Sequence, residues 1–220
     1  MKYLVFSDTH FDNTFDDNLY KNIESIINNH DKVIILGDLF EGYKINFKDF
    51  LKSDWSNLFP LLKSKHSIYI PGNHDPIDLI DIDKAKLFCD EIIPNYEIST
   101  KFGKYKIIHG NEFSLTPDKK YKVYKFPLFI RKLALLINNY ENNQKIYAKF
   151  IKKNFKKIEN YKIKKLKNIN KTNYWLISGH EHFPLIIENK KYINTGFIKY
   201  GFMSYLTITE NGHKLTITNY

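Results

Sequence analysis

Seven residues with oxygen or imidazole-nitrogen donors recur beside short apolar runs: Asp8, His10, Asp38, Asn73, His109, His180 and His182. The set holds no thiolate, and Cys89 is the only cysteine in the chain. One divalent cation cannot use seven protein ligands, but two can when a carboxylate bridges them. Mixed carboxylate, amide and imidazole donors suit Mn, Fe, Zn or Co, with manganese placed first, and fit a structural zinc site poorly. Two ions roughly 3.5–4 Å apart can activate a water between them and clamp phosphoryl oxygens during in-line attack. Each residue alone has an ordinary reading: Asp38 as a helix N-cap, Asn73 as a turn residue, His109 as a satisfied core histidine. Only their joint recurrence points to chemistry.

The elements that must position them follow from the apolar pattern. Runs at residues 2–6, 32–36, 66–70, 105–108 and 174–177 are short, continuous and apolar, and each stops at a polar, metal-capable cluster. That is the signature of buried strands delivering side chains at their carboxyl ends. A core strand gains nothing from a carboxylate or imidazole at its tip, so the recurrence has no structural explanation of its own. Residues 17–29 carry Leu19, Ile23, Ile26 and Ile27 at helical spacing, and a second helical stretch is expected over 47–63. Strand–helix alternation predicts an α/β fold with right-handed crossovers. Residues 204–209 and 213–218 alternate around Glu210-Asn211-Gly212, a hairpin signal. Between about 126 and 168 lie two amphipathic helices. One is striped by Ile130, Leu133, Ala134 and Ile137, the other by Tyr147, Ile151, Phe155 and Ile158. Placed between two strands, they are expected to form a cap over the site.

The blocks Asp8-Thr9-His10, Gly37-Asp38, Gly72-Asn73-His74-Asp75, His109-Gly110 and Gly179-His180-Glu181-His182 stand in one order across residues 8–182. In this they resemble the calcineurin-like metallophosphoesterase family. The resemblance implies a four-layer α/β/β/α sandwich and a phosphate ester or pyrophosphate hydrolase that works through a metal-bridging hydroxide. It implies that Asp8, His10 and His182 hold one ion and Asn73, His109 and His180 a second, with Asp38 bridging. His74 takes the place of the imidazole that bonds the phosphoryl oxygen or protonates the leaving group, with Asp75 orienting its ring. Glu181 falls at the family's variable position, and Asn194-Thr195-Gly196 is expected to support the site without binding metal. Gly37-Asp38-Leu39-Phe40-Glu41 and the insert after His109 are similar to the UDP-2,3-diacylglucosamine pyrophosphohydrolase branch. There, Tyr121, Tyr124, Phe126, Phe129 and Arg131 would line a lid over a lipid-linked substrate.

The 220 residues fit one domain, 1–220, with the helical cap as an insertion at 119–171. That insertion holds 17 Lys and Arg against Glu141 and Glu159, a charge of +15, while the remainder of the chain carries −5. A basic insert on an acidic body suits anionic partners: a phosphorylated small molecule, nucleic acid in a phosphodiesterase or nuclease reading, or anionic membrane lipids at the periphery. The same lysines also suit a plain solvated helix face. A non-catalytic interaction scaffold of the same fold is the remaining alternative, and it predicts missing ligands. No apolar run reaches the roughly 18–20 residues of a membrane span, and no signal peptide is evident, so a cytoplasmic protein is expected. Cys89 is expected as a small buried side chain, and His30, His66 and His213 in ordinary surface or loop positions.

Overall fold

The computed structural model describes residues 1–113, 127–137, 140–165, 169 and 172–220. Two β-sheets stack face to face. The first runs in the order β10 (Ile198–Lys199), β11 (Phe202–Thr209), β1 (Tyr3–Phe6), β2 (Lys32–Leu36), β3 (Ile68–Ile70), β4 (Glu91–Ile92), and β12 (Gly212–Thr218) also pairs with β11. The second runs β5 (Tyr96–Ser99), β6 (Lys104–Ile107), β7 (Trp175–Ser178), β9 (Tyr192–Asn194), β8 (Leu185–Ile187). Helices are α1 (Asp17–Asn28), α2 (Phe47–Phe50), α3 (Phe59–Ser64), α4 (Ile82–Ala85), α5 (Leu128–Ile137) and α6 (Tyr140–Lys165).

The two-residue period of the strands sorts their side chains into layers. Leu4, Phe6, Val33, Ile35 and Tyr69 face outward, into a cluster with Leu19, Ile23 and Ile27 of α1 and Leu62 of α3. Val5, Ile34, Leu36 and Ile70 face inward, against Tyr105, Ile107, Ile177 and Ile193 of the second sheet. On the far face of that sheet Leu176, Leu185, Ile187 and Tyr192 meet Ala148 and Ile151 of α6, with Tyr147, Phe155 and Ile158 beside them. The result is the expected α/β/β/α stack. Buried strands with no polar face explain why the runs were continuously apolar.

The strands that deliver the polar clusters are parallel and in step. Phe6 pairs with Ile35, Leu36 with Ile70, and Ile107 with Ile177. Their carboxyl ends therefore open on one edge of the sandwich. The β11–β12 hairpin forms around Glu210-Asn211 as its turn residues predict.

Two expectations need correction. The stretch 47–63 is not one helix: α2 ends at Phe50, Ser53 is extended (ψ 164°), and a 3₁₀ turn at 54–58 leads into α3. Pro60 lies in the first turn of α3, where its missing N–H costs nothing. Inside a longer helix it would have removed a bond. His30 is buried at 4% exposure, bonded to Ile26 O at 2.6 Å and Thr207 Oγ1 at 2.9 Å. It ties α1 to β11. His66 is exposed, and its Nδ1 lies 2.8 Å from Asp90; Cys89 is buried, as expected.

Tyr121, Tyr124 and Phe126 lie outside the described residues, as does part of the 119–171 insertion. Within the described part, α6 forms the outer layer on the second sheet, while α5 reaches the segment after β2. There Arg131 donates to Gly42 O and, at 2.9 Å, to Asn46 Oδ1. No described helix is long and apolar enough to cross a membrane.

Candidate metal centre

The loops after β1, β2, β3, β6 and β7 bring all seven sequence-selected ligands together. Asp8, His10, Asp38 and His182 form one group, and Asp38, His109 and His180 a second, with the donor atoms of each group within 4.8 Å of one another. Asp38 belongs to both. In the first group His182 Nε2 lies 3.0 Å from Asp8 Oδ1 and 3.1 Å from His10 Nε2, and His10 Nε2 lies 3.9 Å from Asp38 Oδ2. In the second, His109 Nε2 lies 3.4 Å from Asp38 Oδ2, while Asn73 Oδ1 is 3.1 Å from His109 Nε2 and 2.8 Å from His180 Nδ1.

Asp8, His10, Asp38, His180 and His182 have positive φ, between 45° and 66°. Left-handed backbone at non-glycine residues is disfavoured and collects at functional sites. It turns each side chain back across the strand end. Two glycines permit the close approach: a Cβ on Gly72 would fall on Asp38 Oδ1, and one on Gly179 would fall on Ser7 Oγ and Asp8 Oδ2. Asn194 Nδ2 donates to Gly179 O at 2.6 Å, and Thr195 Oγ1 meets Ser7 Oγ at 2.7 Å, so the 194–196 segment braces two ligand loops.

The donor set fits divalent cations. His109 Nδ1 donates to Leu36 O at 2.8 Å, and His10 Nδ1 lies 3.2 Å from Glu41 Oε2, which turns the Nε2 atom of each ring toward the carboxylates. Asp8 Oδ1 is buried, with the His182 imidazole 3.0 Å away. Burial works against ionisation of Asp38, but the His109 and His74 imidazoles outweigh it and hold the carboxyl well below its usual range. In return, although burial opposes it, Asp38 and then Asp8 push His109 up to about 10. Two buried carboxylates thus demand positive charge at the points where a metal would sit.

Among the site residues, Asp75 is placed differently from its expected role behind His74. Its Oδ1 accepts from Asp38 N at 3.0 Å and Gly72 N at 2.6 Å, and its Oδ2 accepts from Leu39 N and the Tyr69 hydroxyl. With four donors already pointing at it, Asp75 locks the β2 and β3 loops together. Burial, then the Asp38 charge, raise it to about 7. The His74 ring is held instead by Glu41, whose Oε1 lies 2.7 Å from Nδ1. Burial would lower His74, yet Glu41 and then Asp38 push it up to about 9. Glu41 was visible in the sequence three residues after Asp38, but nothing local showed which ring it would meet.

A four-layer sandwich with metal-capable side chains at its strand ends defines the metallophosphoesterase fold class. The family model of the calcineurin-like phosphoesterases matches residues 1–184, and the chain belongs to that family. YfcE, a phosphoesterase from E. coli, superposes with a TM-score of 0.50 at 16% identity, covering 95% of this chain and 88% of its own. A single-mutant Vps29 from Entamoeba histolytica gives 0.47 at 13% identity, covering 100% and 99%. A conserved uncharacterised protein from Streptococcus pneumoniae TIGR4, described as a predicted phosphoesterase, gives 0.43 at 14%, covering 99% and 88%. No curated protein matches the chain.

Proposed function

We propose that the chain is a metal-dependent phosphoesterase, cleaving a phosphate ester or anhydride at the Asp38-centred site. The observation that carries this reading is the sharing of Asp38 between two groups of donors, which is what a bridging ligand requires. Asp8, His10, Asp38 and His182 would hold one divalent ion, and Asp38, Asn73, His109 and His180 the other. When bound, the ions supply Lewis acidity toward a phosphoryl oxygen and a water reactive near neutral pH. The remaining work falls to the protein. Glu41 holds the His74 ring by Nδ1, and that imidazole would give a proton to the phosphoryl or leaving oxygen. Asp75 keeps the two loops that carry Asp38 and Asn73 in register.

For the substrate, a cleft of about 770 Å³ opens beside His109, lined by Ile77, Ile93, Ile108 and Leu176. It supports a phosphorylated substrate with an apolar portion, such as a lipid-linked sugar nucleotide of the UDP-2,3-diacylglucosamine type. The second reading, a phosphodiesterase or nuclease, is favoured by the exposed lysines of α6 at 149, 152, 153, 156, 157 and 164. In either case we take residues 1–220 as one domain, with 119–171 an insertion flanking the site. Cytoplasmic location, peripheral contact with anionic lipid and a manganese pair belong to the same reading.

The test is hydrolysis of p-nitrophenyl phosphate and its bis-ester by metal-stripped protein with and without added Mn²⁺. Turnover that depends on Mn²⁺ is expected. A protein that neither binds metal nor turns over either ester would be a scaffold. A salt titration of substrate affinity then separates the branches: a steep slope marks a nucleic-acid substrate and a shallow one a small ligand.

A further inference from the structure

We propose that Lys162 of α6 is a positioning residue for the metal site, setting His180 and His182 through the Glu181 between them. The inference rests on the reading that these two histidines hold metal.

Three consecutive residues make the case. His180 and His182 both have left-handed backbone, φ 66° and 48°, a conformation that persists only where the surroundings over-determine it. From the inside the loop is anchored by His180 N donating to Asp8 Oδ2 at 2.9 Å and Glu181 N donating to Gly179 O at 2.7 Å. From the outside it is anchored by α6. Lys162 Nζ donates to Glu181 Oε2 at 2.7 Å and to Glu181 O at 3.3 Å, so it grips both the side chain and the backbone of the residue separating the two ligands. The two side chains are only 12% and 9% exposed. At the surface such a pair would be worth little, but these two side chains are largely out of solvent, where a charge pair is weakly screened.

The same helix holds the next residue too. Phe155 stacks on Phe183 with centroids 4.8 Å apart, and Lys162 Nζ lies 5.8 Å from the Phe183 ring. His182 is therefore clamped from α6 on both sides, at Glu181 and at Phe183. Lys162 stands apart from the lysines at 149, 152, 153, 156, 157 and 164, which are exposed. The basic composition of the insertion thus hides one lysine with a different task. Partners that orient metal ligands commonly set affinity by about 10–100-fold when removed.

The experiment is Mn²⁺ titration of the metal-stripped full-length protein, by calorimetry or by the spectroscopic signal of bound Mn²⁺, with Tm measured alongside. Lys162→Met is expected to weaken Mn²⁺ binding about 10–100-fold. Lys162→Arg should restore most of it, and Lys156→Met, on the exposed face, should leave it unchanged. The double variant Lys162→Met/Glu181→Gln removes both charges of the pair, so it should fold where the single one fails, and it should still bind Mn²⁺ weakly. Wild-type affinity in Lys162→Met or in Lys162→Met/Glu181→Gln, even with a lower Tm, would overturn the proposal and leave the phosphoesterase reading intact. Wild-type protein that takes up no Mn²⁺ would overturn both.

Discussion

Glu41 Oε1 lies 2.7 Å from His74 Nδ1 while its Oε2 lies 3.2 Å from His10 Nδ1, so one buried carboxylate holds two imidazoles. The rings of His10 and His74 meet edge to face with centroids 4.6 Å apart. The two rings are thereby fixed relative to one another by a single side chain, itself 1% exposed. The usual cost of burying a charge is offset because both imidazoles stabilise the ionised form and hold Glu41 well below the ordinary carboxylate range.

Replacing Glu41 with Gln should therefore change the pH profile as well as the rate. His74 is raised to about 9 in the folded protein against burial, chiefly by Glu41. A raised value means the ring keeps its proton as pH rises until about 9. Without the carboxylate the proton leaves earlier, so the basic limb of kcat against pH should move down. A limb that stays in place would show that Glu41 does not govern His74.

His74→Ala should leave both ions bound and lower kcat by about 10²–10⁴, the ordinary contribution of a positioned acid. Metal content by elemental analysis and kcat on an activated ester separate the two effects. Loss of metal would move His74 into the ligand set.

Asp38→Asn removes the carboxylate common to both donor groups. Both ions should be lost together, whereas Asn73→Ala should weaken only one. A stoichiometry of two ions in Asp38→Asn would refute the bridge.

Gly179→Ala places a methyl against Ser7 Oγ and Asp8 Oδ2. Overpacking of this kind costs about 1–3 kcal/mol. The Tm should fall, and Mn²⁺ affinity with it, because Asp8 must shift to make room. A variant with unchanged Tm and affinity would mean that the loop relaxes freely.

His30 should make the fold acid-sensitive. Burial lowers its pKa first, Lys2 and Lys65 lower it further, and the bond to Ile26 O only partly opposes them. Above the unfolded value of 6.5 both states are neutral and the stability is complete. As pH falls below 6.5 the unfolded chain takes the proton first, so stability drains away down to the folded pKa. The Tm advantage of wild type over His30→Gln should shrink between pH 7 and 5, as calorimetry would show. A constant gap would exclude His30 as the sensor.

The apolar runs and their polar ends were enough to single out Asp8, His10, Asp38, Asn73, His109, His180 and His182 as one set, and the family resemblance carried by the order of the five blocks implied the sandwich. These features are local. A strand is recognisable from its own residues, and the break that ends it from the next few. What touched what was not local. Glu41 rather than Asp75 holds His74 because the register of β2 against β3 turns Asp75 toward four backbone and hydroxyl donors. The burial of His30 and the grip of Lys162 on Glu181 each depend on a partner outside their own element. Charge and periodicity made Lys162 look like its exposed neighbours. Only the packing of α6 on the second sheet took it out of water, and a lysine out of water must find a carboxylate.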